Sequence, residues 1–150
     1  MKKTLYSLMV AFALVISFTS CGGDDDNTIN YSTTPEKATE GTYNGTWTKT
    51  LSGSTDTETF SGTVTMTGVS KGISNVNVSC PEASIDITVV VNIWNSGYDF
   101  QFSNNLASSL GTSGIVGKIS EKGVLTTSFT ISQKVNKKNY EYIYQFVGNK

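Results

Sequence analysis

The chain contains no histidine, and all eleven of its basic residues are lysines, so it has no arginine either. Histidine is the side chain that ordinarily titrates near neutrality and the commonest metal ligand, so its absence excludes His-based catalysis and the usual His-rich metal sites. Only two cysteines and two prolines occur among the 150 residues. The one long apolar run, Leu5 to Phe18, is about the length of a signal-peptide core and too short to span a bilayer. Beyond Cys21 nine lysines stand against twelve acidic residues, a net charge of minus three. That balance leaves no basic face for nucleic acid. No stretch sustains a helical period of apolar residues.

What is present begins at the N-terminus. Lys2 and Lys3 precede the apolar run, and the small residues Thr19 and Ser20 stand directly before Cys21. A peptidase that cuts before the cysteine needs small side chains at its active site. The segment resembles the lipobox of bacterial lipoproteins, and Phe18, three residues before the cysteine, fits the relaxed lipoboxes of the Bacteroidetes. The resemblance implies that residues 1–20 are a signal peptide, that Cys21 carries a thioether-linked diacylglycerol, and that its new amino terminus is often acylated too. Each buried methylene contributes about 0.8 kcal/mol, so two or three chains hold effectively permanently. The alternative is an ordinary cleaved signal that leaves Cys21 to pair with Cys80. An ordinary signal ends in an A-x-A-like site, and none is present. With Cys21 acylated, Cys80 stands alone and the fold closes without a disulfide.

Gly22 follows the cysteine where an inner-membrane retention signal would carry aspartate, which directs the protein to the outer membrane. Asp24, Asp25 and Asp26 then resemble the surface-export signal of Bacteroidetes lipoproteins, which implies display on the outer leaflet. A solvated acidic spacer is the other reading of the same run. A calcium loop is not, because the aspartates are consecutive and no glutamate follows at loop spacing. Residues 21–40 are rich in Thr, Asn, Asp and Gly and read as a flexible tether. Residues 41–150 remain for one domain, long enough to bury a core unaided.

Period-two alternation runs through that domain, which makes it all-β. Eight strands can be named. The first, "GTYNGTWTKTL", places Tyr43, Gly45, Trp47 and Leu51 on one face; the second places Phe60, Gly62, Val64 and Met66 inward. A short third carries Val76 and Val78 and ends at Cys80, before Pro81, which cannot donate to a ladder. The fourth alternates Ile85, Ile87, Val89, Val91 and Ile93, and the fifth Tyr98, Phe100 and Phe102. "NNLASSLGTSG" interrupts the pattern as a loop or a single helical turn. "IVGKI", "LTTSFTIS" and "YEYIYQFVG" complete the set. Eight short antiparallel strands remove their edges by closing into a meander barrel, with a two-sheet sandwich as the alternative. Gly45 and Gly62 suit bulges or sharp coiling.

"GTW" at residues 45–47, in the first of eight strands, resembles the G-x-W signature of the calycins, the lipocalin-like barrels. Together with the leader and the aromatic last strand ending "YQFVGNK", it is similar to calycin-like lipoproteins of the Bacteroidetes, a resemblance that spans most of the chain. It implies a barrel with Trp47 buried at its closed end. In lipocalins an arginine packs over this tryptophan. Lys150 or a neighbouring lysine is the substitute at hand, though lysine does not reproduce the planar stack.

Candidates for chemistry are few. Asp56 and Glu58 share one face near a strand end, as a glycosidase pair would, but nothing else converges on them. Cys80 has no histidine to activate it and reads as a small buried hydrophobe. No G-x-S-x-G elbow occurs, and no motif asks for a cofactor or metal. The expectation is a non-enzymatic protein. Aromatic surplus points to binding, with Trp47, Trp94, Tyr140, Tyr142 and Tyr144 as contacts for a small apolar or glycan ligand. Facing inward, the tyrosines are core with hydroxyls at the barrel mouth; facing outward, they form a stacking platform. The competing class is a structural or accessory lipoprotein with a filled barrel that docks on an outer-membrane protein.

Cys21→Ala is expected to remove the acyl mass from the mature protein and release or mislocalise it. Mass spectrometry of the membrane and soluble fractions checks this, and an unmodified mature chain beginning elsewhere refutes it.

Overall fold

The computed structural model describes residues 34–104 and 114–150. The signal peptide, Cys21 and Asp24 to Asp26 lie outside the described residues, as does most of the interrupting loop. Eight antiparallel strands follow one another around a closed barrel in sequence order. They are β1 (Gly41–Leu51), β2 (Thr57–Ser70), β3 (Ile73–Cys80), β4 (Ile85–Ser96), β5 (Asp99–Ser103), β6 (Val116–Ile119), β7 (Val124–Val135) and β8 (Lys138–Asn149). Closure is made by β1, which pairs with β2 along one edge and with β8 along the other, from Asn44↔Asn149 to Leu51↔Tyr142. The ring of strands closes on itself, which decides against the sandwich, although β4 and β7 run past the short β5 and β6, so that residues 85–91 and 129–135 pair on one side only among the described strands.

Alternation sorts the side chains as the sequence indicates. Tyr43 and Trp47 of β1, Val64 and Met66 of β2, and Val76, Val78 and Cys80 of β3 are buried. So are Ile85, Val91 and Ile93 of β4, Phe100 and Phe102 of β5, Leu125 and Phe129 of β7, and Tyr144 and Phe146 of β8. Their neighbours in sequence face solvent. The turns carry the backbone geometry their positions need. Asn136 and Lys137 between β7 and β8 both have positive φ, 49° and 67°, as a two-residue turn matched to strand twist requires.

Gly45 and Gly62 are cross-strand partners within an unbroken register, so neither is a bulge. The single register shift in β2 falls between Gly68 and Ser70. The two glycines serve close approach instead. A Cβ on Gly45 would lie 2.1 Å from the Val147 carbonyl oxygen of β8, and one on Gly62 would lie 2.6 Å from the Trp47 ring. Sharp coiling of β1 onto its neighbours is what these positions permit.

One short element lies before the first strand. Residues 35–38 form a single helical turn, α1 (Pro35–Ala38), with Pro at its start, where its missing N–H is no loss. Glu36 and Thr39 are buried against the barrel end formed by the β2–β3 turn. The folded unit therefore includes residues from Pro35 onward, and the tether expected to run to Glu40 ends earlier. The apolar pattern of the strands carried no sign of this, because the turn is held by polar contacts.

Trp47 sits mid-barrel with no exposed surface. Its ring meets Phe146 at 4.9 Å and Phe129 at 5.5 Å between centroids, and Phe129 stacks on Tyr144 at 5.3 Å. The indole N–H has no hydrogen-bond partner, which costs about 1–3 kcal/mol against the packing it accompanies. Trp47→Ala is expected to cost about 3–5 kcal/mol of stability in urea denaturation. Trp47→Phe is expected to cost less, because it also removes the unsatisfied donor.

Candidate functional site

The barrel has two unlike ends. At one end the chain enters through α1, which lies over the opening. Glu36 Oε2 accepts a hydrogen bond of 2.9 Å from the Gly72 N–H, in a turn residue with φ of 72°. Hydrogen bonds from the Thr34 side chain and from that N–H hold the Glu36 carboxyl below its ordinary range. Thr39 Oγ1 donates to the Pro35 carbonyl, and Thr39's own carbonyl accepts from the Tyr43 hydroxyl at 2.8 Å. Lys150 Nζ lies 5.4 Å from the centre of the Tyr43 ring and donates to the Ala38 carbonyl. Burial pushes the Tyr43 hydroxyl up and the Lys150 ammonium down. Lys150 thus covers Tyr43, and the expected cation over Trp47 is replaced by the rings of Phe129 and Phe146. The closed end is fastened by polar groups around Tyr43, with Trp47 deeper inside.

The other end is the mouth, where the β1–β2 turn and the β7–β8 hairpin project. The tyrosine row of β8 faces inward and grades along its length. Tyr144 is buried, and burial raises its hydroxyl pKa. Tyr142 and Tyr140 are half-buried. Lys49 occupies an inward-facing position of β1, two residues beyond Trp47, and its Nζ stands 4.7 Å over the Tyr142 ring. The same ammonium pairs with Glu58 at 3.3 Å. An exposed pair of this kind contributes at most about 1 kcal/mol. A cavity of about 270 Å³ lies here, with Lys49, Leu51, Asp56, Glu58 and Tyr142 among its lining residues. Glu58 is thus paired with Lys49, and Asp56 stands in an exposed turn.

The five aromatic residues proposed as ligand contacts do not form one site. Trp47 and Tyr144 are buried in the core, in the stack they make with Phe129 and Phe146. Tyr140 and Tyr142 overlook the mouth. Trp94 is on the outer wall, out of phase with the inward side chains of β4, and exposed. The interior row of the barrel is filled by rings where a lipocalin-like pocket would lie open. Lys49 was missed in the sequence although its parity with Tyr43 and Trp47 marks it as inward. Its charge concealed that signal, because at a strand end an inward position opens to water.

In comparison with known proteins, no family model matches the chain and no curated protein matches it.

Cys80 is fully buried with a free thiol at the mouth end of β3, and burial pushes its pKa up. Disulfide pairing with Cys21 would need a sulfur that the barrel wall covers. In the native protein the thiol is expected to resist a thiol-reactive probe at about pH 8, where an accessible cysteine reacts readily, and to react fully once urea unfolds the chain. Rapid labelling of the folded protein would refute the burial.

Proposed function

We propose that this protein is a lipid-anchored, non-enzymatic binding domain of the outer membrane, held at the cell surface through acyl chains on Cys21 and binding a small apolar or glycan ligand on its exterior or at its mouth. The observation that directs this reading to the exterior is the packed middle of the barrel. Rings of Trp47, Phe129, Tyr144 and Phe146 occupy the middle of the barrel, and an eight-strand barrel is only wide enough either to pack solid or to hold one small ligand. Recognition then falls to surfaces outside the core, which favours a glycan over an apolar molecule enclosed within. The G-x-W signature and the leader, which resemble those of calycin-like lipoproteins, support the same reading, and Asp24 to Asp26 support surface display.

The direction of the tether adds to it. The chain enters the barrel at the end covered by α1, so an anchor at Cys21 would hold that end toward the membrane. The mouth and its two half-buried tyrosines would face away. A permanent anchor also raises the effective concentration of the domain against neighbouring surface molecules, so modest affinity suffices.

A second reading is a structural lipoprotein that docks on an outer-membrane protein. The same filled interior favours it, together with exposed Trp94 and Tyr98 on the outside.

Native mass spectrometry of the mature lipoprotein, released from detergent after purification from its own host, separates the two. A stoichiometric small molecule is expected. A ligand-free mass together with co-purification of one outer-membrane protein supports docking and refutes the binding reading. For display, protease added to intact cells is expected to cut the wild type and to spare a variant with Asp24, Asp25 and Asp26 changed to alanine. Equal protection of both refutes surface export.

A further inference from the structure

Seven large hydrophobic side chains are exposed among the described residues, and three of them, Trp94 (42 %), Val116 (50 %) and Val147 (56 %), belong to one stretch of outer wall. Cross-strand register brings them there. Trp94 is paired with Gln101, Gln101 with Lys118, Lys118 with Thr126, and Thr126 with Val147. These outward side chains make one row running across the strands. A second, parallel row is made by Val116, Ser128, Gln145 and Thr48. Between the rows the residues point inward, and at Gly117 there is no side chain at all. The floor of the furrow is therefore largely backbone.

A cavity of about 550 Å³ follows this furrow, lined from both rows and from Gly117 between them. A second concavity of about 570 Å³ lies over Gly45 and Gly62; what distinguishes the furrow is the pair of exposed valines, Val116 and Val147, set among its polar groups. Gly117 is held to glycine from beneath, since a Cβ there would lie 2.1 Å from the Phe102 ring. From Gln101 on β5 to Thr48 on β1 the cavity crosses four inter-strand spacings, about 19 Å in all; Trp94, the cross-strand partner of Gln101, flanks its end.

Its chemistry narrows the ligand. Lys118, the one charged group in the two rows, is paired with Asp99 at 2.5 Å, and that bond holds the Asp99 carboxyl below its ordinary range. The rest is neutral. Gln101 keeps one amide contact, to Ser96 Oγ at 3.1 Å. Among the described residues the Gln145 amide and the Ser128 and Thr48 hydroxyls have no hydrogen-bond partner within the protein. They are available as donors and acceptors along one wall, with apolar faces at Trp94, Val116 and Val147. An extended peptide would add to a sheet edge and satisfy its backbone there. Along the furrow β5 to β8 are paired on both sides, so a peptide lying there would leave its own amides poorly paired. A polyanion finds no unpaired cation.

We propose that this furrow binds a neutral, linear oligosaccharide, its hydroxyls bonded to Gln145, Ser128 and Thr48 and its C–H faces against Val116 and Val147, with one end of the chain reaching Trp94 beside Gln101. This rests on the reading of the protein as an exterior binding domain and names the site and the ligand class.

The test titrates the mature lipoprotein in detergent with neutral hexasaccharides of glucose, xylose and mannose, and with an oligogalacturonate as the acidic comparison. The chain has two tryptophans. Trp47 is buried, so a change in emission on binding reports Trp94. At least one neutral hexasaccharide is expected to give a saturable change, with the oligogalacturonate binding about tenfold more weakly or worse. Trp94→Ala, followed by calorimetry, and Gln145→Ala are each expected to weaken binding about tenfold or more. Both residues are exposed, and an unchanged urea midpoint shows that the fold survives. Val69→Ala, at an exposed position of β2 away from the furrow, is expected to bind like the wild type, and Tyr142→Ala probes the mouth. If Tyr142→Ala abolishes binding and Trp94→Ala does not, the furrow is overturned while exterior binding stands. Failure of every neutral hexasaccharide also overturns the furrow; the wider reading falls separately, on a ligand-free native mass with a co-purified protein partner.

Discussion

The closure of β1 onto β8 is the constraint on which the rest of this barrel depends. A sheet of eight short strands has two edges, and each carries a row of unpaired amides and carbonyls until the first and last strands meet. Here they meet across a register that places Gly45 opposite Gly148 and Trp47 opposite Phe146. The glycines let two backbones come closer than any Cβ would allow. Two residues further along, large rings meet across the same seam. Small residues that permit the bend and large residues that fill the space behind it lie side by side. The closure and the core are therefore parts of one arrangement.

Filling the interior has consequences for where recognition can take place. Tyr43, Trp47, Phe100, Phe102 and Phe146 are all fully buried, and together they leave the central section of the barrel to side chains. One end is covered by α1 and fastened through Glu36, Thr39 and Tyr43. What remains is the mouth, with its graded tyrosines and the Lys49–Glu58 pair, and the outer wall. On that wall the chain places Ser, Thr, Gln and Asn in alternation with the core, which keeps the surface soluble. The furrow from β5 to β1 interrupts that pattern by bringing exposed apolar residues beside unpaired amides and hydroxyls. Polar and apolar groups interspersed in one concavity are the ordinary composition of a ligand site.

The two ends also differ in how they respond to solvent. The covered end depends on hydrogen bonds to one carboxylate, Glu36, whose ionised form is favoured by the groups around it. A carboxyl with a depressed folded-state pKa contributes stability above its unfolded pKa and loses it as pH falls through the folded value. Protonation of Glu36 thus weakens the closure of that end. The mouth holds its groups through an exposed ion pair and a cation over a ring, both weaker and both screened by salt.

The sequence by itself determined the strand set, its inward and outward faces, and closure as the economical answer to eight edges, because a strand's side chains alternate and the core is apolar. Tyr43, Trp47, Val64, Met66, Val76, Val78, Phe100, Phe102 and Leu125 could all be assigned to the interior from parity alone. Tertiary structure decided what parity leaves open. Tyr140, Tyr142 and Tyr144 share one face, yet only position along the barrel axis makes one core and the others mouth. α1 carries no apolar period and is held by polar bonds to a turn thirty-odd residues away, so no local pattern announces it. Lys150 could be matched to a missing arginine by analogy, but its reach to Tyr43 rather than Trp47 depends on where the last strand ends. The furrow is least legible of all. Its walls come from five strands, and Gln101, Gln145 and Val147 become neighbours of one concavity only through the cross-strand register, which a linear sequence does not contain.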